Sequence, residues 1–316
     1  MPAFDGATGW LNSEPLTPDG LRGKVVLVDF WTYTCINWLR TLGYRRAWPD
    51  KYEDQGLVVV GVHTPEFPFE RDVDNVRWAV QEDGITYPVA IDGSYGVWQA
   101  FSNHYWPAVY IADAEGRIRH HHFGEGGYEE CERVIQQLLR EAGSGDVADD
   151  LVSVADEGFQ AQADWASLRS PESYLGYEQA QNFASPDAAL DQSRDYVVPD
   201  DLQLNQWALA GEWAIERGAS VLTGPEGALA FRFQARDVNL VLGPPARGRM
   251  TVPFRVTVDG HPPGDAHGLD TDKRGEGIVD RERLYQLVRE PGTIEERTFE
   301  ITFLAPGVQA YVFTFG

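Results

Sequence analysis

Two hydrophobic patterns divide the chain. From Lys24 to Glu141, short apolar runs alternate with segments whose apolar positions recur at helical spacing. Val25 to Val28 reads as a buried strand, and Ile36, Leu39, Leu42 and Tyr44 place a helix directly after it. Leu57 to Val62 is a second strand, followed by a helix from Asp72 to Glu82 with Val73, Val76 and Val80 on one face. Tyr87 to Ile91, Ser94 to Phe101 and Ala108 to Ala112 continue as strand, helix and strand. Ala114-Glu115-Gly116 then turns the chain into a hairpin strand, Arg117 to Phe123, before a last helix from Glu129 to Glu141. Strands alternating with helices predict an α/β domain around a largely parallel sheet.

The second pattern starts after a stretch rich in Gly, Ser, Asp and Ala that has no sustained period. Beyond it come apolar runs punctuated by Gly and Pro: Ala228 to Phe233, Val238 to Leu242, Thr251 to Val258, Arg283 to Val288, Arg297 to Phe303 and Val308 to Phe315. This repetition predicts an all-β sandwich. The expected division is an α/β domain over 1–143, a linker over 144–164 and a β-sandwich over 165–316. Residues 1–23, with Trp10, Leu11, Pro15, Pro18 and Gly20, read as an extended lead-in without chemistry.

Composition narrows the function. With 316 residues, 43% hydrophobic and 12% aromatic, the chain can build two cores. A formal charge of −23, from 26 basic and 49 acidic residues, disfavours nucleic acid and anionic membrane as partners. The apolar runs are too short to span a bilayer, and MPAFDGATGW lacks the features of an export signal, so a soluble, cytoplasmic protein is expected. Two cysteines are too few for a disulfide framework, and no phosphate-binding glycine loop or zinc-type cluster occurs, so neither cofactor nor metal is expected.

The candidate nucleophile is Cys35, delivered by the first strand to the start of a helix. Backbone N–H groups and the positive end of the helix dipole there favour thiolate over thiol; the alternative is a small buried hydrophobe. Trp38 lies one helical turn on, placed to shape or cover the sulfur. Without a local partner thiol, an attacked or oxidised Cys35 has two fates, a mixed disulfide cleared by an external thiol or a sulfenic acid reduced from outside. His63, at the carboxyl edge of the sheet, is the candidate proton acceptor, with a hydrogen-bonded structural histidine as the alternative and Glu66 as a weaker candidate. His120 and His122 share a strand face, but no ligand at the right spacing completes a metal site. Cys131, on the apolar face of the last helix, reads as core packed well away from Cys35.

GKVVLVDFWTYTCINW is similar to the strand, active-site loop and helix of the thioredoxin superfamily, most of all its TlpA/redoxin branch. WTYTCIN, GVHTPEFPFE, HYWPA and RHHHFGEG, with a second domain ending in AYVFTFG, resemble the soluble part of DipZ-like proteins. One departure stands out: Cys35-Ile36-Asn37-Trp38 replaces the Cys-x-x-Cys of dithiol members. The resemblance implies a thioredoxin-like domain followed by a jelly-roll sandwich similar to carbohydrate-binding modules. It further implies that Pro107 is a cis-proline facing Cys35, bordered by His104, Tyr105 and Trp106. With Trp31, Thr32, Tyr33 and Trp38 these would line an aromatic-walled pocket, the alternative being that the aromatics simply pack the domain edge. Thr32 stands where peroxiredoxins carry a threonine, although Val28 replaces their proline.

The function implied is a thioredoxin-like thiol oxidoreductase with a single nucleophilic cysteine. Two alternatives stay open: a thiol peroxidase working through sulfenic acid, and a non-catalytic ligand- or sugar-binding protein with a degenerate redox site. The partners expected are an external thiol reductant or thiol/disulfide protein, a carbohydrate ligand of the second domain, and a second copy in a homo-oligomer. Trp165, Tyr174, Tyr177, Trp207 and Trp213 are the candidate sugar platforms, with core filling as the alternative. DipZ-like relatives work outside the cytoplasm, against the plainer cytoplasmic reading of this sequence.

Overall fold

A computed structural model describes residues 1–155, 157–245 and 251–316. The chain divides into two units, Met1–Ala161 and Gln162–Gly316. In the first, the lead-in contributes a strand of its own, β1 (Gly9–Leu11), and the apolar runs become β2 (Val25–Trp31), β3 (Leu57–His63), β4 (Val89–Ile91), β5 (Ala108–Ala112) and β6 (Ile118–Phe123). The helices are α1 (Ile36–Leu39), α2 (Leu42–Tyr52), α3 (Val73–Glu82), α4 (Gly96–Ala100) and α5 (Tyr128–Glu141). The strands lie in the order β1-β4-β3-β2-β5-β6. β2, β3 and β4 run parallel, β5 pairs antiparallel with β2, and β6 pairs antiparallel with β5. All seven residues of β2 are buried, as expected of a central strand covered on both faces. On one face Val26, Val28, Phe30, Val60 and Val62 pack with Phe4, Leu21, Val97 and Phe101.

Two local expectations change. The helix after Cys35 is not continuous: the Thr41 N–H and hydroxyl both bond to the Trp38 carbonyl, at 2.7 and 2.8 Å, which tightens the turn and separates α1 from α2. Residues 144–161, read from composition as linker, belong to the first unit; Asp156 lies outside the described residues. Composition missed this because side-chain hydrogen bonds hold the segment. Glu132 accepts the Val152 N–H, Gln136 and Lys51 reach the Asp150 carbonyl, and Arg140 donates to Val147.

The second unit is all β, with every ladder between its named strands antiparallel. Its strands are β7 (Ser173–Tyr174), β8 (Ser193–Tyr196), β9 (Trp207–Ile215), β10 (Ser220–Phe233), β11 (Asp237–Gly243), β12 (Val252–Val258), β13 (Glu276–Val279), β14 (Arg283–Arg289), β15 (Arg297–Phe303) and β16 (Gln309–Phe315). The main path runs β13-β12-β15-β10-β16-β11-β14, and β9 pairs with β10. One core collects Trp207, Trp213, Phe231, Phe233, Phe299, Phe303, Phe313 and Phe315. Trp207 and Trp213 are therefore core residues and not sugar platforms; Trp165 is exposed. Among the described residues no helix is long and apolar enough to cross a membrane.

Candidate active site around Cys35

Register sets the first pieces of the site. Trp31 and His63, the last residues of β2 and β3, stand opposite each other in the parallel ladder. Thr32, Tyr33 and Thr34 then lead to Cys35, which sits extended (φ −76°, ψ 108°) immediately before α1. Its carbonyl accepts from the N–H groups of Trp38 and Leu39 at 3.1 and 3.0 Å, and its own N–H donates to Thr32 O at 3.2 Å. Cys35 is half-buried, and both cysteines are thiols. The strand-to-helix placement is the one expected, but a four-residue α1 brings the dipole of little more than one turn.

Three buried carboxylates from three segments hold this stretch. Beneath it, Asp29 of β2 accepts from the Trp38 indole N–H at 2.9 Å and from Arg45 Nε at 2.9 Å. Burial pushes the Asp29 carboxyl up, while Arg45 and the indole pull it back. On the preceding side Glu70, in the 3-10 turn Pro68–Arg71, accepts from Thr34 Oγ1 at 2.6 Å. Its second oxygen takes the N–H groups of Glu66 and Phe67 at 2.6 and 2.9 Å. Burial raises the Glu70 carboxyl, against the pull of Thr32, Thr34 and those backbone donors. On the following side Glu125 pairs with Arg40, the residue closing α1, at 2.9 Å with both side chains nearly inaccessible. Burial raises Glu125 too, and the Arg40 charge opposes it.

Several of the aromatic residues fill this framework. Trp31 and Trp38 are fully buried and stacked, ring centroids 4.3 Å apart, and Tyr33 and Thr32 are buried beside them. Gly61 makes room: a Cβ there would lie 2.9 Å from Trp31 Nε1. His63 is enclosed as well, edge-on to Trp31 at 4.9 Å and stacked on Tyr33 at 5.8 Å. Desolvation lowers its pKa to about 3, so the ring is neutral at ordinary pH and a weak proton acceptor. This burial weighs against the base role expected of His63. His104 and Tyr105 are exposed, Trp106 is half-buried, and the Trp106–Pro107 peptide is cis. The Trp106 indole donates to Thr64 O at 3.1 Å, tying the proline loop to the segment after β3.

Cys131 is buried on α5 with its sulfur 3.7 Å from His120 Nε2. Burial raises its pKa, opposed by the charge of Arg45. That arginine is the one paired with Asp29. His122 turns to the Glu125 carbonyl and His121 faces outward; among the described residues no three metal-ligating side chains gather.

Asp29, Glu70, Arg40 and Glu125 were not singled out by sequence. Asp29 did carry a signal, a lone charge inside an apolar strand, which is rarely buried without a partner. Glu70 and Glu125 sit in irregular segments where no periodicity reports burial.

Residues 170–316 match the family described as thioredoxin like C-terminal domain. Protein DipZ of Mycobacterium tuberculosis (strain CDC 1551 / Oshkosh) is 37% identical over 269 residues, 83% of this chain and 38% of DipZ, so the chain spans well under half of that relative. Thiol-disulfide oxidoreductase YkuV of Bacillus subtilis (strain 168) is 32% identical over 141 residues, 45% of this chain and 95% of YkuV. A solved structure of a thioredoxin-like protein in the oxidized form is 33% identical, with 45% of this chain and 95% of that one covered and a TM-score of 0.42. With a six-stranded sheet, a cysteine at its strand-to-helix junction and a relative matched over almost its whole length, the chain belongs to the thioredoxin-like thiol-disulfide oxidoreductase family.

Proposed function

We propose that this protein exchanges disulfides through one cysteine, Cys35, with an external thiol completing the cycle. The observation that carries the reading is Trp38: at the place of a second thiol stands a fully buried indole bonded to Asp29. Cys35 first loses its proton to solvent. The thiolate then attacks one sulfur of a partner disulfide, forming a Cys35–partner bond and expelling the other sulfur as a thiolate, which takes up a proton. A second thiol, small or protein-borne, attacks the mixed disulfide at the partner's sulfur and releases Cys35 as a thiolate. Each step conserves electrons, and no cofactor enters. His63 takes no proton in this scheme; it packs the site as a neutral ring. Cys131 is not used, because it is buried and its thiol is favoured.

Partners are accordingly thiol or disulfide proteins, as the relative's designation as a thiol-disulfide oxidoreductase suggests. For the second unit we favour a jelly-roll-like sandwich that positions partners, on the strength of its antiparallel strands and the large apolar core they share. The test is intact-mass analysis after exposure to glutathione disulfide. Wild type and Cys131→Ser should each gain one glutathione, removable by dithiothreitol, and Cys35→Ser none. Glutathione-dependent peroxide turnover lost in Cys35→Ser would favour the peroxidase. No reaction with either oxidant would favour a binding protein.

A further inference from the structure

Thr34 precedes Cys35 directly, and its hydroxyl is committed to a carboxylate 36 positions away, Glu70. Both oxygens of Glu70 are occupied, one by Thr34 and the other by the backbone of Glu66 and Phe67. That backbone is itself a junction. The Thr64 N–H bonds to Trp31 O at 3.0 Å, Thr64 O accepts from Trp106, the Thr64 hydroxyl donates to Asp92 at 3.2 Å, and Pro65 O accepts from the Tyr95 hydroxyl. Asp92 in turn accepts the N–H groups of Val97 and Trp98 at the start of α4. Glu70 thus joins the loop presenting Cys35 to the segment that braces the end of β2, the proline loop and α4.

We infer that Glu70 is a positioning residue for Cys35, acting through the Thr34 hydroxyl to fix the loop from which the sulfur attacks. This rests on the reading of Cys35 as the nucleophile. Disulfide exchange needs the attacking sulfur in line with the bond it breaks, so a loop free to swing presents the thiolate in productive geometry less often. A buried carboxylate suits the role, because charge-assisted hydrogen bonds are short and directional.

The test is a double-mutant cycle in the full chain with the Cys131→Ser background, reading the second-order rate constant of Cys35 with glutathione disulfide. Thr34→Val keeps the shape and removes the donor; Thr34→Ser keeps the donor. Thr34→Val and Glu70→Gln should each slow the reaction about tenfold, the scale of one lost hydrogen bond to a charged group. Their combination should be no slower than the worse single variant, as expected when two residues act through one bond. Thr34→Ser should retain the parental rate, a rescue that general loosening of the fold would not produce. Glu70→Gln places an amide against two backbone donors and can fail to fold; the Thr34→Val and Thr34→Ser pair leaves those donors satisfied and decides the matter alone. The inference is overturned if Thr34→Val reacts at the parental rate, if Thr34→Ser is no better than Thr34→Val, or if the two losses multiply. A parent inert to glutathione disulfide would overturn the exchange reading instead, and the same cycle read with iodoacetamide would still decide the role of Glu70.

Discussion

The two units build their interiors differently. Under Cys35 the core is threaded with charge: Asp29 with Arg45, Arg40 with Glu125, and Glu70 and Glu132 held by hydroxyl, indole and backbone donors. The interior of the second unit is aromatic and aliphatic, with Phe231 5.0 Å from both Phe313 and Phe315. Its buried Asp237 pairs with Arg236 and Arg289, whose side chains keep about a quarter of their surface exposed. Apolar burial is non-directional and supplies stability. A buried ion pair adds little net stability but penalises heavily any arrangement that separates its charges. The first unit uses this penalty around its cysteine, where orientation matters.

The harshest test is Trp38→Cys. It removes a buried aromatic, a loss of about 3–5 kcal/mol, and takes from Asp29 its indole donor. In folded molecules the introduced thiol, three residues from Cys35, should close a disulfide with it, detected as the loss of two hydrogens in non-reducing mass spectrometry. A folded variant whose thiols stay apart would mean that the charged framework does not present a thioredoxin-type site.

Asp29→Asn and Phe313→Ala set the two interiors side by side. The first strands the Arg45 charge, and the second opens a cavity; each should cost about 3–5 kcal/mol in urea unfolding. Only Asp29→Asn, through Trp38, should change the rate at which iodoacetamide labels Cys35. Equal effects on that rate from both variants would break the comparison.

His63 gives a smaller, pH-dependent effect. Its folded pKa, lowered to about 3 from an ordinary 6.5, means that the unfolded chain binds the proton more readily between those values. Stability from this group is therefore present above pH 6.5 and is lost as the pH falls toward 3, by on the order of a few kcal/mol. Asp83, raised by burial to about 7, works in the opposite sense and stabilises on acidification. His63→Phe, which keeps a ring against Trp31, should lose less stability than the parent between neutral pH and pH 4, measured as urea midpoints. Identical pH profiles would contradict the buried neutral ring.

At the low end is Arg133→Ala, which breaks an exposed pair with Glu129 one turn away on α5. A cost of about 0.3–0.5 kcal/mol is expected. A loss rivalling Asp29→Asn would show that burial is not what gives these charges their weight.

Hydrophobic period alone determined the order of strands and helices from β2 onward in the first unit, six of the strands of the second, and the place of Cys35 between β2 and a helix, but it missed β1, β7, β8, β9 and β13. These are local properties: a central strand such as β2 announces itself in consecutive residues, and a helix face within two turns. Tertiary structure decided the rest. It broke the helix after Cys35 at Thr41, drew residues 144–161 into the first unit, and buried His63, which sequence placed at an accessible edge. The framework of the site was least legible, since Asp29 meets Arg45 across 16 positions, Thr34 meets Glu70 across 36, and Arg40 meets Glu125 across 85. Apart from Asp29, a lone charge inside an apolar strand, each partner is an ordinary polar residue in sequence. Its burial, and hence the strength of its charge, exists only once the distant partner has been folded against it.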